Sequence, residues 1–302
     1  MDHTAAGRYE EACRFLPGRL RAAALSIGRG DMARAEELRL RIGRPLTLTV
    51  PEGAMPLPHT AVLREEVEQV LERVTEYSLY TASETLRQGF VTAAGGFRVG
   101  VCGTALPEGE ENRGMKDVSS LAIRIPRLCR DVAQPVLPGL WEEGRLCGTV
   151  ILSPPGGGKT TFLRDLVRLL SDGSRFSPPL RVALADERGE VAAMHRGVPQ
   201  LDVGGNTDVL DGCPKAAAAG IFLRTMSPQV LALDEIAGKK DADAVCAAVN
   251  CGVAILATAH AADLRELRAR DAMRELLACG VFRRAVIIRG RGAQRTYETE
   301  EL

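Results

Sequence analysis

Hydrophobic and polar positions change their rhythm about halfway along the chain. Glu37 to Val50 (ELRLRIGRPLTLTV) alternates apolar with polar residues, the period of a half-buried strand, and is interrupted at Gly43 to Pro45. Leu63 to Tyr80 instead carries Val67, Val70, Leu71 and Val74 at helical spacing and predicts an amphipathic helix. Gly95 to Ala105 (GGFRVGVCGTA) and Leu121 to Ile125 predict further strands, so the first half reads as an α+β unit. From Thr149 onward, short unbroken apolar runs replace the alternation: Thr149 to Leu152, Val182 to Ala185, Val230 to Leu233, Val253 to Ala257 and Ala285 to Ile288. Runs of this kind suit strands buried on both faces, with intervening helices as crossovers, and predict an α/β core built on a mainly parallel sheet. A helix is expected to begin near Pro214, ahead of Ala216 to Ala219.

Length and punctuation divide these rhythms into two bodies. At 302 residues the chain exceeds the usual size of one core. Pro126, Pro135 and Pro138 make about 130–145 the expected linker, giving a smaller α+β domain over 1–135 and an α/β domain over 136–302. Charge then narrows the partners: Lys plus Arg equals Asp plus Glu at 39 each, and aromatic residues are 4%, which gives no strong nucleic-acid signal. The eight cysteines never form a C-x-x-C pair and read as reduced, mostly core thiols. Residues 1–15 lack the apolar run of a signal peptide, and no segment approaches the roughly 20 apolar residues of a membrane span. A cytoplasmic protein without direct membrane insertion is expected.

The chemistry concentrates in the second half. Thr149 to Thr161 (TVILSPPGGGKTT) is a strand, a glycine-rich turn and a helix start. The pattern G-x-x-x-x-G-K-[ST] is met at Gly158, Lys159 and Thr160, with Ser153 where the first glycine is usual. Glycines let main-chain amides converge on phosphate oxygens, the helix amino terminus adds positive partial charge, and Lys159 neutralises the β- and γ-phosphates. Ser153, Pro154, Pro155, Gly156, Gly157, Gly158, Lys159, Thr160 and Thr161 are therefore the expected ATP-binding loop. The Thr160 hydroxyl is expected on Mg2+.

Val230 to Ile236 (VLALDEI) ends an apolar strand in two carboxylates, which assigns Asp234 to the metal and Glu235 to the attacking water. Val182 to Ala185 also ends in charge, at Asp186, Glu187, Arg188 and Glu190. All carboxyl ends of a parallel sheet open on one edge, so Glu187 and Glu190 offer a rival general base there. Thr258 and His260 close a third buried run on that edge, where a γ-phosphate contact is the functional reading.

With these motifs in order, the sequence resembles the stage III sporulation protein AA family, allied to the type II and type IV secretion ATPases. The resemblance spans about residues 80–290 and is carried by GGFRVGVCGTA, VSSLAIRIPR (118–127), LSPPGGGKTTFLRDL (152–166), ADERGE (185–190), GVPQLDVGGNTDVLDGCPKA (197–216), MSPQVLALDEI (226–236) and ATAH (257–260). It implies a RecA-like P-loop ATPase domain behind a smaller amino-terminal domain, an Mg-dependent hydrolase, and a homo-hexamer. It also implies membrane-embedded sporulation channel partners on the mother-cell side. In such motors an acidic cluster and a histidine flank the nucleotide, matching Asp186, Glu187 and Glu190 and then His260. Arginines of the amino-terminal domain approach a nucleotide in the ring, matching Arg98, Arg124 and Arg127. Ala237, Ala261 and Asn206 depart from the family pattern. The alternatives are a nucleotide-gated scaffold with negligible turnover and a RecA-like nucleic-acid motor.

Overall fold

The computed structural model describes residues 5–76, 86–108, 111–126, 129–236, 238–249, 251–290 and 294–302, with the side chains of all but 108, 111, 112 and 272. Contacts divide the chain into two units, Met1–Leu128 with Ala193–Gln200, and Cys129–Ala192 with Leu201–Leu302. The expectations at Arg127 and Ala237 lie outside the described residues.

In the first unit, helices α1 (Ala5–Ala12), α2 (Gly18–Leu25) and α3 (Arg29–Arg34) precede a sheet of strands β1 (Glu37–Arg41), β2 (Pro45–Val50), β3 (Gly53–Ala61), β4 (Phe90–Ala93), β5 (Phe97–Glu108) and β6 (Glu111–Arg124). Their order is β3-β2-β1-β6-β5-β4, every pair antiparallel. The alternating stretch thus folds back on itself at Gly43, whose φ of 73° suits glycine, and Leu38 comes opposite Leu48. Leu38, Leu40, Leu46, Leu48, Val99 and Ile123 are wholly buried on one face. Helix α4 (Arg64–Val74) adds Val67, Val70 and Val74 to that core. It starts where Glu66 Oε2 accepts the Leu63 N–H at 2.9 Å.

The second unit opens with a small hairpin, β7 (Trp141–Glu142) and β8 (Arg145–Leu146), and then builds its main sheet from β9 (Thr149–Ser153) and β10 (Val182–Asp186). Between β10 and the rest of that sheet the chain forms the hairpin β11 (Met194–His195) and β12 (Val198–Pro199), which belongs to the first unit. There His195 Nε2 lies 2.8 Å from Glu76 Oε1, and Gln200 Oε1 accepts the Gly95 N–H at 2.7 Å.

The main sheet continues with β13 (Thr207–Asp211), β14 (Val230–Leu233), β15 (Ala254–His260), β16 (Arg284–Arg289) and β17 (Thr296–Glu301), in the order β13-β10-β14-β15-β9-β16-β17. All neighbours are parallel except the β16–β17 pair. Helices α5 (Lys159–Asp172), α6 (Lys215–Thr225), α7 (Lys239–Val249), α8 (Leu264–Arg268) and α9 (Asp271–Ala278) make up its helical layers. Every residue of β9, β10 and β14 is buried, as continuous apolar runs require.

Residues near 130–145 are fastened rather than loose. The buried Asp165 carboxylate on α5 accepts the Asp131 and Ala133 N–H groups at 3.0 and 2.9 Å and pairs with Arg168 at 2.8 Å. The cysteines correct the sequence reading: only Cys13 and Cys147 are buried, while Cys102, Cys129, Cys251 and Cys279 are exposed. Cys251 and Cys279 fall just past the ends of α7 and α9, where a small residue follows the last apolar position. Among the described residues no helix is long and apolar enough to cross a membrane.

Candidate active site

The strand β9 ends at Ser153, and the chain must turn sharply to enter α5. Gly156 and Gly158 take φ of 73° and 103°, conformations that side chains resist. Gly157 is required for a different reason: a Cβ there would stand 1.6 Å from Ser153 Oγ. The serine in the first-glycine position therefore fits because its neighbour across the turn has no side chain. Pro154, Pro155 and Gly156 are exposed, and Thr161 is half-buried in the first turn of α5.

Lys159 is buried and folds back over the loop. Its Nζ donates to Ser153 O at 2.9 Å and Pro154 O at 3.3 Å, and lies 2.8 Å from His260 Nδ1. An ammonium only donates, so Nδ1 must accept and the imidazole carries its proton on Nε2. Nε2 faces Glu235 Oε1 at 3.3 Å. Burial pulls the Lys159 ammonium below the usual lysine range, while Asp234 and Glu235 push it back.

Topology explains how the acids reach this loop. One strand, β15, separates β9 from β14, and its Thr258 links the two sides. Thr258 Oγ1 donates to Asp234 Oδ1 at 2.8 Å and accepts the Glu235 N–H at 2.8 Å. Across the site, Thr160 Oγ1 donates to Asp234 Oδ2 at 3.2 Å. Burial pushes the Asp234 carboxyl above the ordinary range, with Glu190 and Glu235 adding to the rise and the hydroxyls of Thr258 and Thr160 opposing it. A hydroxyl and a carboxylate side by side are hard oxygen donors, the chemistry that suits Mg2+.

Glu235 has φ of 58°, unusual for a residue with a side chain, and such strain collects at functional sites. Its carboxylate is held by side chains on both sides, Arg188 Nη1 at 2.8 Å and His260 Nε2 at 3.3 Å.

The cluster after β10 is built differently. Asp186 is buried, and its carboxylate accepts the N–H groups of Glu190 at 2.9 Å, Val191 at 3.1 Å and Ala192 at 2.8 Å. Glu187 pairs with Lys215 at 2.5 Å. Arg164 on α5, which no sequence motif singled out, donates to Val191 O at 2.5 Å and Glu190 O at 2.7 Å and ties this loop to the phosphate helix. Asn206 donates to Ser171 O at 3.0 Å, near the far end of α5 from the phosphate loop.

Of the expected arginines, Arg124 is 68% exposed on β6 and lies 3.9 Å from Glu37 within the first unit. Arg98 stacks over the Phe90 ring at 3.8 Å.

Known proteins resemble this chain in sequence and in fold. A family model described as "Sporulation stage III, protein AA" matches residues 6–297. Stage III sporulation protein AA of Bacillus subtilis (strain 168) is 38% identical over 266 residues, covering 88% of this chain and 86% of the relative. Among solved structures, the Legionella pneumophila ATPase DotB superposes with a TM-score of 0.59 at 15% identity, over 91% of this chain and 78% of that one. The pilus retraction motor PilT with bound ADP gives a TM-score of 0.59 at 14% identity, over 89% and 79% of the two chains. At these identities the two structures establish likeness of fold.

Proposed function

Because the chain belongs to the family described as sporulation stage III protein AA, we propose that it is an Mg-dependent ATPase, a motor of secretion type. It serves a sporulation channel or secretion-like complex between mother cell and forespore. The reading rests above all on one observation: Lys159, Thr160, Asp234, Glu235 and His260 converge at the carboxyl edge of one sheet, on the turn between β9 and α5. A P-loop core of RecA type, a cytoplasmic working place and a ring of six copies docked on membrane-embedded partners complete the proposal. The fold shared with DotB and PilT supports it.

The roles follow from the chemistry of each group. Main-chain amides of the turn and the amino terminus of α5 grip the phosphates, and Lys159 neutralises their oxygens. Thr160 and Asp234 would hold Mg2+, which supplies charge neutralisation across the phosphates when bound. Glu235, aimed by Arg188 and His260, takes a proton from water as the water oxygen bonds to the γ-phosphorus. The bond from that phosphorus to the bridging oxygen breaks, and its electron pair leaves with ADP. Lys159→Ala is expected to abolish tight nucleotide binding, and with it phosphate release, measured by calorimetry and by steady-state assay. A variant that releases phosphate at the wild-type rate would overturn the site.

A further inference from the structure

The carboxyl-terminal hairpin brings a cation to the phosphate loop that no motif announces. Strand β16 runs parallel to β9, so it leaves the sheet on the same edge as the loop. Strand β17 returns antiparallel with Arg289 opposite Thr296, which sets the preceding residue, Arg295, on that edge as well. The return is tight: Gly290 has φ of 75°, and a Cβ there would stand 2.4 Å from Gln294 O. Tyr297 then stacks on Phe162 of α5, with ring centroids 5.2 Å apart and planes at 29°, and fixes the start of β17 against the phosphate helix.

The guanidinium of Arg295 consequently covers Gly158. Its Cζ, Nε and Nη1 lie 3.0, 3.1 and 3.3 Å from where a Cβ on that glycine would stand. Its Nε is buried and has no hydrogen-bond partner among the described residues. The placement is electrostatically wrong for a packing residue. A cation at a helix amino terminus opposes the helix dipole. No carboxylate among the described residues forms an ion pair with Arg295 to offset this. An anion bound at the loop offsets this opposition and gives the guanidinium a partner.

We propose that Arg295 is a phosphate ligand of the nucleotide, acting within its own chain on the diphosphate portion common to ADP and ATP. The assignment rests on the nucleotide-binding reading above. The diphosphate is favoured because loop amides around Gly158 cradle the α- and β-phosphates, while Lys159 reaches the β- and γ-phosphates. A planar guanidinium presents parallel N–H donors that match two phosphate oxygens at once, a fixed fork that an ammonium lacks.

The test is calorimetric titration of Mg-ADP and Mg-ATP into wild type, Arg295→Gln and Arg295→Lys. Arg295→Gln is expected to weaken both nucleotides about tenfold or more, and by similar factors, because a hydrogen bond to a charged group is lost. Arg295→Lys should fall between it and wild type. Wild-type affinity for both nucleotides in Arg295→Gln overturns the inference alone, as does loss of ATP affinity with ADP affinity intact. Should Arg295→Gln fail to fold, undiminished affinity in Arg295→Lys overturns it. If the wild-type chain itself binds neither nucleotide, the proposed function falls together with this inference.

Discussion

Strands β10 and β14 end in the same pair of residues, an aspartate followed by a glutamate, and hold it in opposite ways. At the end of β10, Asp186 turns inward and its carboxylate is taken up by three main-chain amides of the loop that follows, while Glu187 is paired with Lys215. At the end of β14, Asp234 faces the hydroxyls of Thr160 and Thr258, and among the described residues the Glu235 carboxylate is held by the side chains of Arg188 and His260. A carboxylate gripped by the backbone cannot move without unfolding its loop. One gripped by side chains can exchange partners while the backbone stays still. Asp186 therefore serves the fold, while Glu187 and Glu235 are held through side chains.

The widest break between them should come from Glu235→Gln. Removing a general base is expected to lower phosphate release by about 100-fold or more with nucleotide binding retained, read by steady-state assay beside calorimetry. An equal loss in Glu187→Gln would erase the distinction. Next comes Asp186→Ala, which strips the acceptor from three amides and should cost about 3 kcal/mol of folding stability, measured by denaturant midpoint.

A pH experiment sharpens the same point. Burial pushes the Asp186 carboxyl above its ordinary range, although its three amides oppose the shift. As pH rises, the unfolded chain ionises this group first. The folded protein therefore loses stability between the ordinary aspartate value and the raised one. Asp186→Asn should flatten that part of the curve. The smallest effect is expected from Arg188→Gln, whose exposed partner contact should change stability by no more than about 0.5 kcal/mol in the nucleotide-free protein.

How much of this was legible depended on whether a position spoke through pattern or through topology. The buried strands were readable because unbroken apolar runs are what a doubly covered sheet demands, and β9, β10, β14, β15 and β16 fall on them. The two sheet edges were not. Strand β13 (TDVLD) and strand β17 (TYETEE) carry few apolar residues, since edge strands face water along much of their length. Arg295 went unread for the same reason, because its position follows from the pairing of β17 with β16 rather than from its neighbours in sequence. Arg164 lies in the phosphate helix with no signature of its own, and only the fold reveals that it clasps the β10 loop. That Lys159, Thr160, Asp234 and Glu235 meet at one sheet edge was legible because a glycine-rich turn after one buried run and two carboxylates after another must open on the same edge of a parallel sheet.

The hairpin of residues 193–200 has a practical consequence for anyone dissecting the molecule. The polypeptide passes from one unit to the other at Leu128, again at Ala192 and once more at Gln200. A fragment starting at Cys129 would carry Ala193–Gln200 severed from Glu76, Thr92 and Gly95, and a fragment ending at Leu128 would lack the His195 and Gln200 side chains that meet those groups. No single cut yields two intact half-molecules. Either half made alone begins life with an unhealed wound, and biochemical comparison of the parts calls for excising the hairpin and closing the gap as well.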